Sequence, residues 1–82
     1  MRAGMVRGEF TIYPFIEGRV LPQHVQVAID VIREAGLEVE VGPLGTTVVG
    51  PRDALLEVLH RAEAAALSAG ATRIVIRLEV EE

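Results

Sequence analysis

Between residues 38 and 51 the chain reads EVEVGPLGTTVVGP, and no other stretch restricts the fold as tightly. Glu38-Val39-Glu40-Val41 alternates polar and apolar residues, the period of a strand with one buried face. Gly42-Pro43-Leu44-Gly45 reads as a tight turn, because glycine permits positive φ and proline holds its own φ. Thr46-Thr47-Val48-Val49 is a second β-branched run suited to a pleated surface. Gly50-Pro51 closes that strand. Pro51 suits the first helical position, where its missing N–H leaves no bond unmade. The stretch therefore predicts a hairpin that hands directly to a helix.

The flanking sequence completes the pattern. A first strand is predicted over residues 7–15, with Phe10 and Ile12 on one face and Glu9, Thr11 and Tyr13 on the other. Pro14 and the Glu17-Gly18 pair end it. A first helix follows, with Pro22 near its start and Gly36 just past its end. Leu21, Val25, Ala28, Ile29, Ile32 and Ala35 recur at helical spacing. Val20, Val27 and Val31 widen the stripe to an arc of roughly 200° at 3.6 residues per turn. Such an arc exceeds one buried face, and implies contact with a second subunit or deep packing beside a second helix. That second helix is predicted over residues 51–69, with a core stripe of Leu55, Val58, Leu59, Ala62, Ala66 and Ala69. A last strand spans residues 72–80. The chain of 82 residues is thus one α+β domain, residues 1–82, of ferredoxin-like β-α-β-β-α-β order. Right-handed crossovers place both helices on one face of a four-stranded antiparallel sheet. The first and third strands are central.

The other face lacks helices. Strand alternation assigns it Glu9, Thr11, Tyr13, Glu38, Glu40, Thr47, Val49, Val75, Arg77 and Glu79. Four carboxylates then stand near one arginine, beside hydroxyls and one aromatic ring. A matching ligand is small, partly aromatic, and rich in N–H donors or positively charged. The blander reading is a solvated face, or one stacked on another subunit. Alternating glutamates on an edge strand also guard against edge pairing.

Several function classes lose support. A net charge of −4 gives no basic footprint for nucleic acid. With no cysteine there is no disulfide, thiolate nucleophile or thiolate metal site. His24 and His60 lack ligand spacing and read as solvated helix residues. Ser68 has no nucleophile-elbow context. No phosphate-loop or dinucleotide fingerprint is present, so no cofactor is expected. No apolar run approaches the ~18 residues of a membrane span, and residues 1–6 lack the apolar core of a secretory signal. The expectation is a cytoplasmic protein that is not an enzyme.

Three segments carry a family likeness: EFTIYPF at residues 9–15, EAGLEVEVGPLGTTVVG at 34–50, and LSAGATRIVIRLEVEE at 67–82. Together they resemble the small thiamine-binding, YkoF-like family, with VEVGPLGTTVVG the most specific part. The resemblance implies ferredoxin-like subunits that assemble into dimers or tetramers through their sheets. It also implies binding of thiamine or its hydroxymethylpyrimidine half without chemistry on it. The matching positions are Glu40, the turn Pro43-Leu44-Gly45, and Thr46-Thr47, with Tyr13 as a flat partner for the pyrimidine. Alternation puts only one threonine on the open face; Thr47 is favoured there, with Thr46 satisfied by backbone. Two other readings are an ACT-like amino-acid sensor, suggested by the broad apolar arc of the first helix, and a structural oligomer whose open face a partner buries.

Overall fold

The first strand, β1 (Met5–Tyr13), buries Val6, Gly8, Phe10 and Ile12 and leaves the residues between them facing the other way. That alternation is the period-two signature of a strand with one covered face. The structure is a computed structural model that describes residues 4–14, 21–42 and 45–81. After β1 come α1 (Gln23–Glu34), β2 (Glu38–Val41), β3 (Thr46–Pro51), α2 (Arg52–Ser68) and β4 (Arg73–Val80). The sheet order is β2-β3-β1-β4, with every neighbouring pair antiparallel. The expected α+β, ferredoxin-like β-α-β-β-α-β arrangement is therefore the observed one, with β1 and β3 central.

Element ends differ from the expected ones by a residue or two, and partner strands account for the differences. β1 begins at Met5 because bonds reach it and its neighbour Gly4. The Glu81 N–H donates to the Met5 carbonyl at 3.0 Å, and the Arg52 N–H to the Gly4 carbonyl at 2.8 Å. The same pairing keeps Pro51 in the sheet opposite Met5, so α2 starts one residue later than expected, with Pro51 as its extended N-cap. Phe15, Glu17, Gly18 and Val20 lie outside the described residues, as do Pro43 and Leu44.

Both helices stop in the same way. Gly36 has φ +81°, donates its N–H to Arg33 O at 3.0 Å, and leaves Leu37 to donate to Ile32 O at 3.4 Å. Gly70 repeats the pattern at φ +110°, with Gly70 bonded to Leu67 O and Ala71 to Ala66 O at 3.0 Å. Each is a Schellman stop, in which a left-handed residue turns two N–H groups back onto the last carbonyls. The residue after each glycine then enters the core: Ala71 is buried and Leu37 packs against the buried cluster.

That cluster lies between the sheet and the helices. It joins Val6, Phe10, Ile12 and Val48 to Ala28 and Ile32 of α1 and to Leu55, Val58, Leu59, Ala62 and Ala66 of α2. Gly8 sits at its centre. A Cβ there would lie 3.3 Å from Leu59 Cδ1 and 3.3 Å from Leu78 Cδ2, so its absence lets α2 settle close on the sheet. Part of the wide apolar arc of α1 is used within the chain. α1 packs along α2, and Val25 and Val31 join the core margin. Ala35 and Ala69, expected in the stripes, lie at the helix ends outside the core; Ala35 is exposed and Ala69 half-buried. Val41 and Leu78 lie on the helix side of the sheet by register but are exposed, because the helices do not cover those parts of the two edge strands.

His24 is a correction. It is 7 % exposed, and its Nε2–H donates to the Pro14 carbonyl at 2.8 Å. α1 carries it against the end of β1, a proximity that spacing within α1 does not reveal. His60 is exposed, as expected.

Two substitutions test this account of the core. Ile32→Ala removes a fully buried side chain, and is expected to lower unfolding stability by about 2–5 kcal/mol. Leu67→Ala, on an exposed part of α2, is expected to change it by no more than about 0.5 kcal/mol. Urea unfolding followed by circular dichroism checks both; equal midpoints would contradict the assigned core.

Candidate functional site

Pairing register turns the open face into rows. Glu40, Thr47, Glu9 and Arg77 lie side by side across the four strands. Glu38, Val49, Arg7 and Glu79 form the next row. Thr11–Val75 and Tyr13–Arg73 extend the face along β1 and β4.

The charge balance corrects the expectation of four carboxylates near one arginine, because Arg7 and Arg73 also stand on this face. Arg77 holds Glu9 at 2.7 Å and Glu79 at 3.1 Å. Arg7 lies 3.6 Å from Glu81. The two Arg77 pairs are exposed, so each contributes little stability, but together with the Arg7 pair they neutralise the β1–β4 side of the face. Glu38 and Glu40, on β2, have no ion-pair partner among the described residues. Negative charge is thus concentrated at one edge of the sheet.

The same edge is concave. A depression of about 240 Å³ is lined by Glu38, Val39, Glu40, Thr47 and Val49. Its chemistry is two carboxylates, one hydroxyl and the apolar flank of two valines. This set accepts hydrogen bonds and favours positive charge. Among the described residues no group of three or more His, Asp or Glu is placed to hold a metal ion.

The candidate residues separate into distinct positions. Glu40 and Thr47 are paired neighbours in the depression. Thr46 is 4 % exposed and lies on the helix side, opposite Phe10. Its side chain points away from the depression, and among the described residues no buried side-chain polar atom lacks a partner. Gly45 is not among the residues lining the depression and lies at the hairpin end, where its carbonyl accepts the Gly42 N–H at 2.8 Å. A Cβ on Gly45 would meet the Phe10 carbonyl oxygen at 3.0 Å and Thr11 Oγ1 at 3.1 Å, so only glycine lets the hairpin end lie this close to β1. Pro43 lies outside the described residues.

Tyr13 is not part of this group. It is four residues along β1 from Glu9, about 13 Å at the rise of an extended strand. The Arg73 guanidinium lies 4.0 Å above its ring centroid, a cation–π contact that occupies one ring face. Sequence reasoning placed Glu38 and Val49 on the open face but did not single them out as lining residues. Their signal was the alternation on either side of the turn.

The family model described as thiamine-binding protein matches residues 8–82. The chain belongs to this family. It is 31% identical over 70 residues to a UPF0045 protein of Clostridium perfringens, an alignment covering 85% of this chain and 74% of that protein. A UPF0045 protein of Methanocaldococcus jannaschii is 30% identical over 77 residues, covering 94% and 76% of the two chains. Among solved structures, a Thermotoga maritima protein described as a candidate for thiamine biosynthesis or salvage superposes with a TM-score of 0.66 at 27% identity. That match covers 92% of this chain and 80% of the other. The membership agrees with the resemblance carried by the VEVGPLGTTVVG segment.

Gly45→Ala tests the packing of the hairpin end on β1. The added methyl group meets the Phe10 carbonyl oxygen as well as Thr11 Oγ1, so the variant is expected to lose about 1–3 kcal/mol. Differential scanning calorimetry reads the loss. An unchanged melting temperature would show that the hairpin end does not pack on β1 as described.

Proposed function

We propose that this protein binds thiamine or its hydroxymethylpyrimidine precursor without transforming it, and does so in the cytoplasm as an oligomer. The observation that carries the reading is the depression at the β2–β3 edge of a thiamine-binding family member, where Glu38 and Glu40 stand beside Thr47 with no ion-pair partner among the described residues.

The chemistry matches residue by residue. An aminopyrimidine offers an exocyclic amine, which the Glu40 carboxylate or the Thr47 hydroxyl accepts. Its ring lies against Val49. The positive thiazolium of thiamine lies toward Glu38, which has no ion-pair partner among the described residues to cancel the attraction. Thr46 supports this arrangement from the core side, and Gly45 keeps the hairpin end close to β1. Tyr13 acts at a distance, as part of the same open face rather than of the same depression.

A depression of this size is smaller than the roughly 300–1,000 Å³ of closed small-molecule pockets. A second copy seated on the open face would complete the enclosure, which is why the binding form is an oligomer.

Titration calorimetry with thiamine and with hydroxymethylpyrimidine tests the reading. Binding heat is expected for at least one of them. Glu40→Gln and Thr47→Ala are each expected to weaken it about tenfold, the effect of losing one charged or polar contact. His60→Ala, on the exposed side of α2, is expected to leave affinity unchanged. Absence of heat, together with an unchanged melting temperature at millimolar ligand, would refute the proposal.

A further inference from the structure

No basic side chain lines the depression at the β2–β3 edge. Its walls are Glu38, Val39, Glu40, Thr47 and Val49, and neither glutamate has an ion-pair partner among the described residues. Both are exposed on β2. As residues i and i+2 of one strand they stand about 7 Å apart on the same face. Like charges at that spacing repel, and a cation placed between them relieves the repulsion.

The arginines of the open face are engaged or out of reach. Arg7 shares the Glu38 row but lies two strands away, about 10 Å at the spacing of a sheet. Its guanidinium lies 3.6 Å from Glu81, past the end of β4, so it leans away from β2. Arg77 shares the Glu40 row at a distance of three strands, and Glu9 and Glu79 hold it at 2.7 and 3.1 Å. Arg73 is stacked on Tyr13. It is three strands across and four residues along from Glu40, about 20 Å in all.

We propose that the depression selects its ligand by charge, taking the cationic, unphosphorylated form and rejecting the phosphate ester of the same molecule. The inference rests on the ligand-binding reading above and narrows it. Thiamine carries one fixed positive charge on its thiazolium ring, and the hydroxyethyl group that accepts a phosphate hangs from that ring. With the aminopyrimidine at Glu40 and Thr47, the thiazolium and its substituent fall on the Glu38 side. A phosphate monoester adds about −1.5 to −2 charge near neutral pH. The ester thus turns a ligand of net positive charge into one of net negative charge, and its interaction with the two carboxylates changes sign. No arginine lines the depression to receive the phosphate. Neutral hydroxymethylpyrimidine keeps the contacts to Glu40 and Thr47 but lacks the attraction to Glu38.

Titration calorimetry with thiamine, hydroxymethylpyrimidine and thiamine monophosphate tests the selection. At about 0.01 M salt, where screening is weak, thiamine is expected to bind at least about tenfold more tightly than its monophosphate. It is also expected to bind more tightly than hydroxymethylpyrimidine. At about 1 M salt, where the Debye length falls to about 3 Å, both gaps are expected to narrow. Glu38→Gln is expected to shrink the lead of thiamine over its monophosphate, and Glu38→Arg to reverse it. A substitution that merely disturbed the strand would weaken both ligands alike, and circular dichroism of each variant checks that the fold is retained. A monophosphate that binds the wild-type chain as tightly as thiamine, or a Glu38→Arg variant that keeps the wild-type preference, would overturn the charge selection and leave the ligand-binding reading standing. No heat with any of the three probes would overturn both.

Discussion

β1 is hydrogen-bonded along both edges, and the rest of the structure takes its position from that one strand. Its alternation sends Val6, Phe10 and Ile12 to the helices and Arg7, Glu9, Thr11 and Tyr13 to the open face. Slipping the pairing by one residue would exchange those sets and put four polar side chains into the core. The register against β3 is what sets Glu9 beside Thr47, and the register against β4 is what sets it beside Arg77. Gly8 adds a second constraint at the same strand, since the bare backbone there admits Leu59 of α2. Core and open face are two consequences of one pairing.

The open face is not uniform, and its asymmetry follows from where the arginines fall. Arg7 and Arg77 neutralise the carboxylates of β1 and β4 through pairs at 3.6, 2.7 and 3.1 Å. β2 carries no arginine, and among the described residues Glu38 and Glu40 have no ion-pair partner beside the depression that they line with Thr47. A short, acidic edge strand serves two ends at once: it discourages edge pairing and it presents acceptors. At the opposite edge, β4 is longer and leaves Val75, Leu78 and Val80 exposed.

How much of the candidate site could be read in advance depended on whether an interaction was local. Strand period alone separates Thr47 from Thr46, and it brings Glu38, Glu40 and Val49 to one face. Those assignments match the structure because side-chain direction in a strand is set by the backbone. Tyr13 was the weaker inference. Its facing was correct, but its distance from Glu40 depends on how far along β1 the hairpin pairs, and its ring is already covered by Arg73. His24 was misread for the same reason: its partner, the Pro14 carbonyl, lies ten residues away on another element.

The sequence by itself therefore determined the element order, the stops at Gly36 and Gly70, the buried stripes of the helices and the facing of almost every strand residue. Each of these depends on period, propensity or the φ freedom of glycine, which act within a few residues. Only the tertiary structure decided which carboxylates are neutralised, that Val25 and Val31 belong to this chain's own core margin, that Gly45 must lack a side chain to lie against Phe10, and that the depression forms between Glu40 and Thr47. Those outcomes depend on the register between strands and on the seating of helices over them. Both arise from the packing of the whole core, and neither is specified by any single segment.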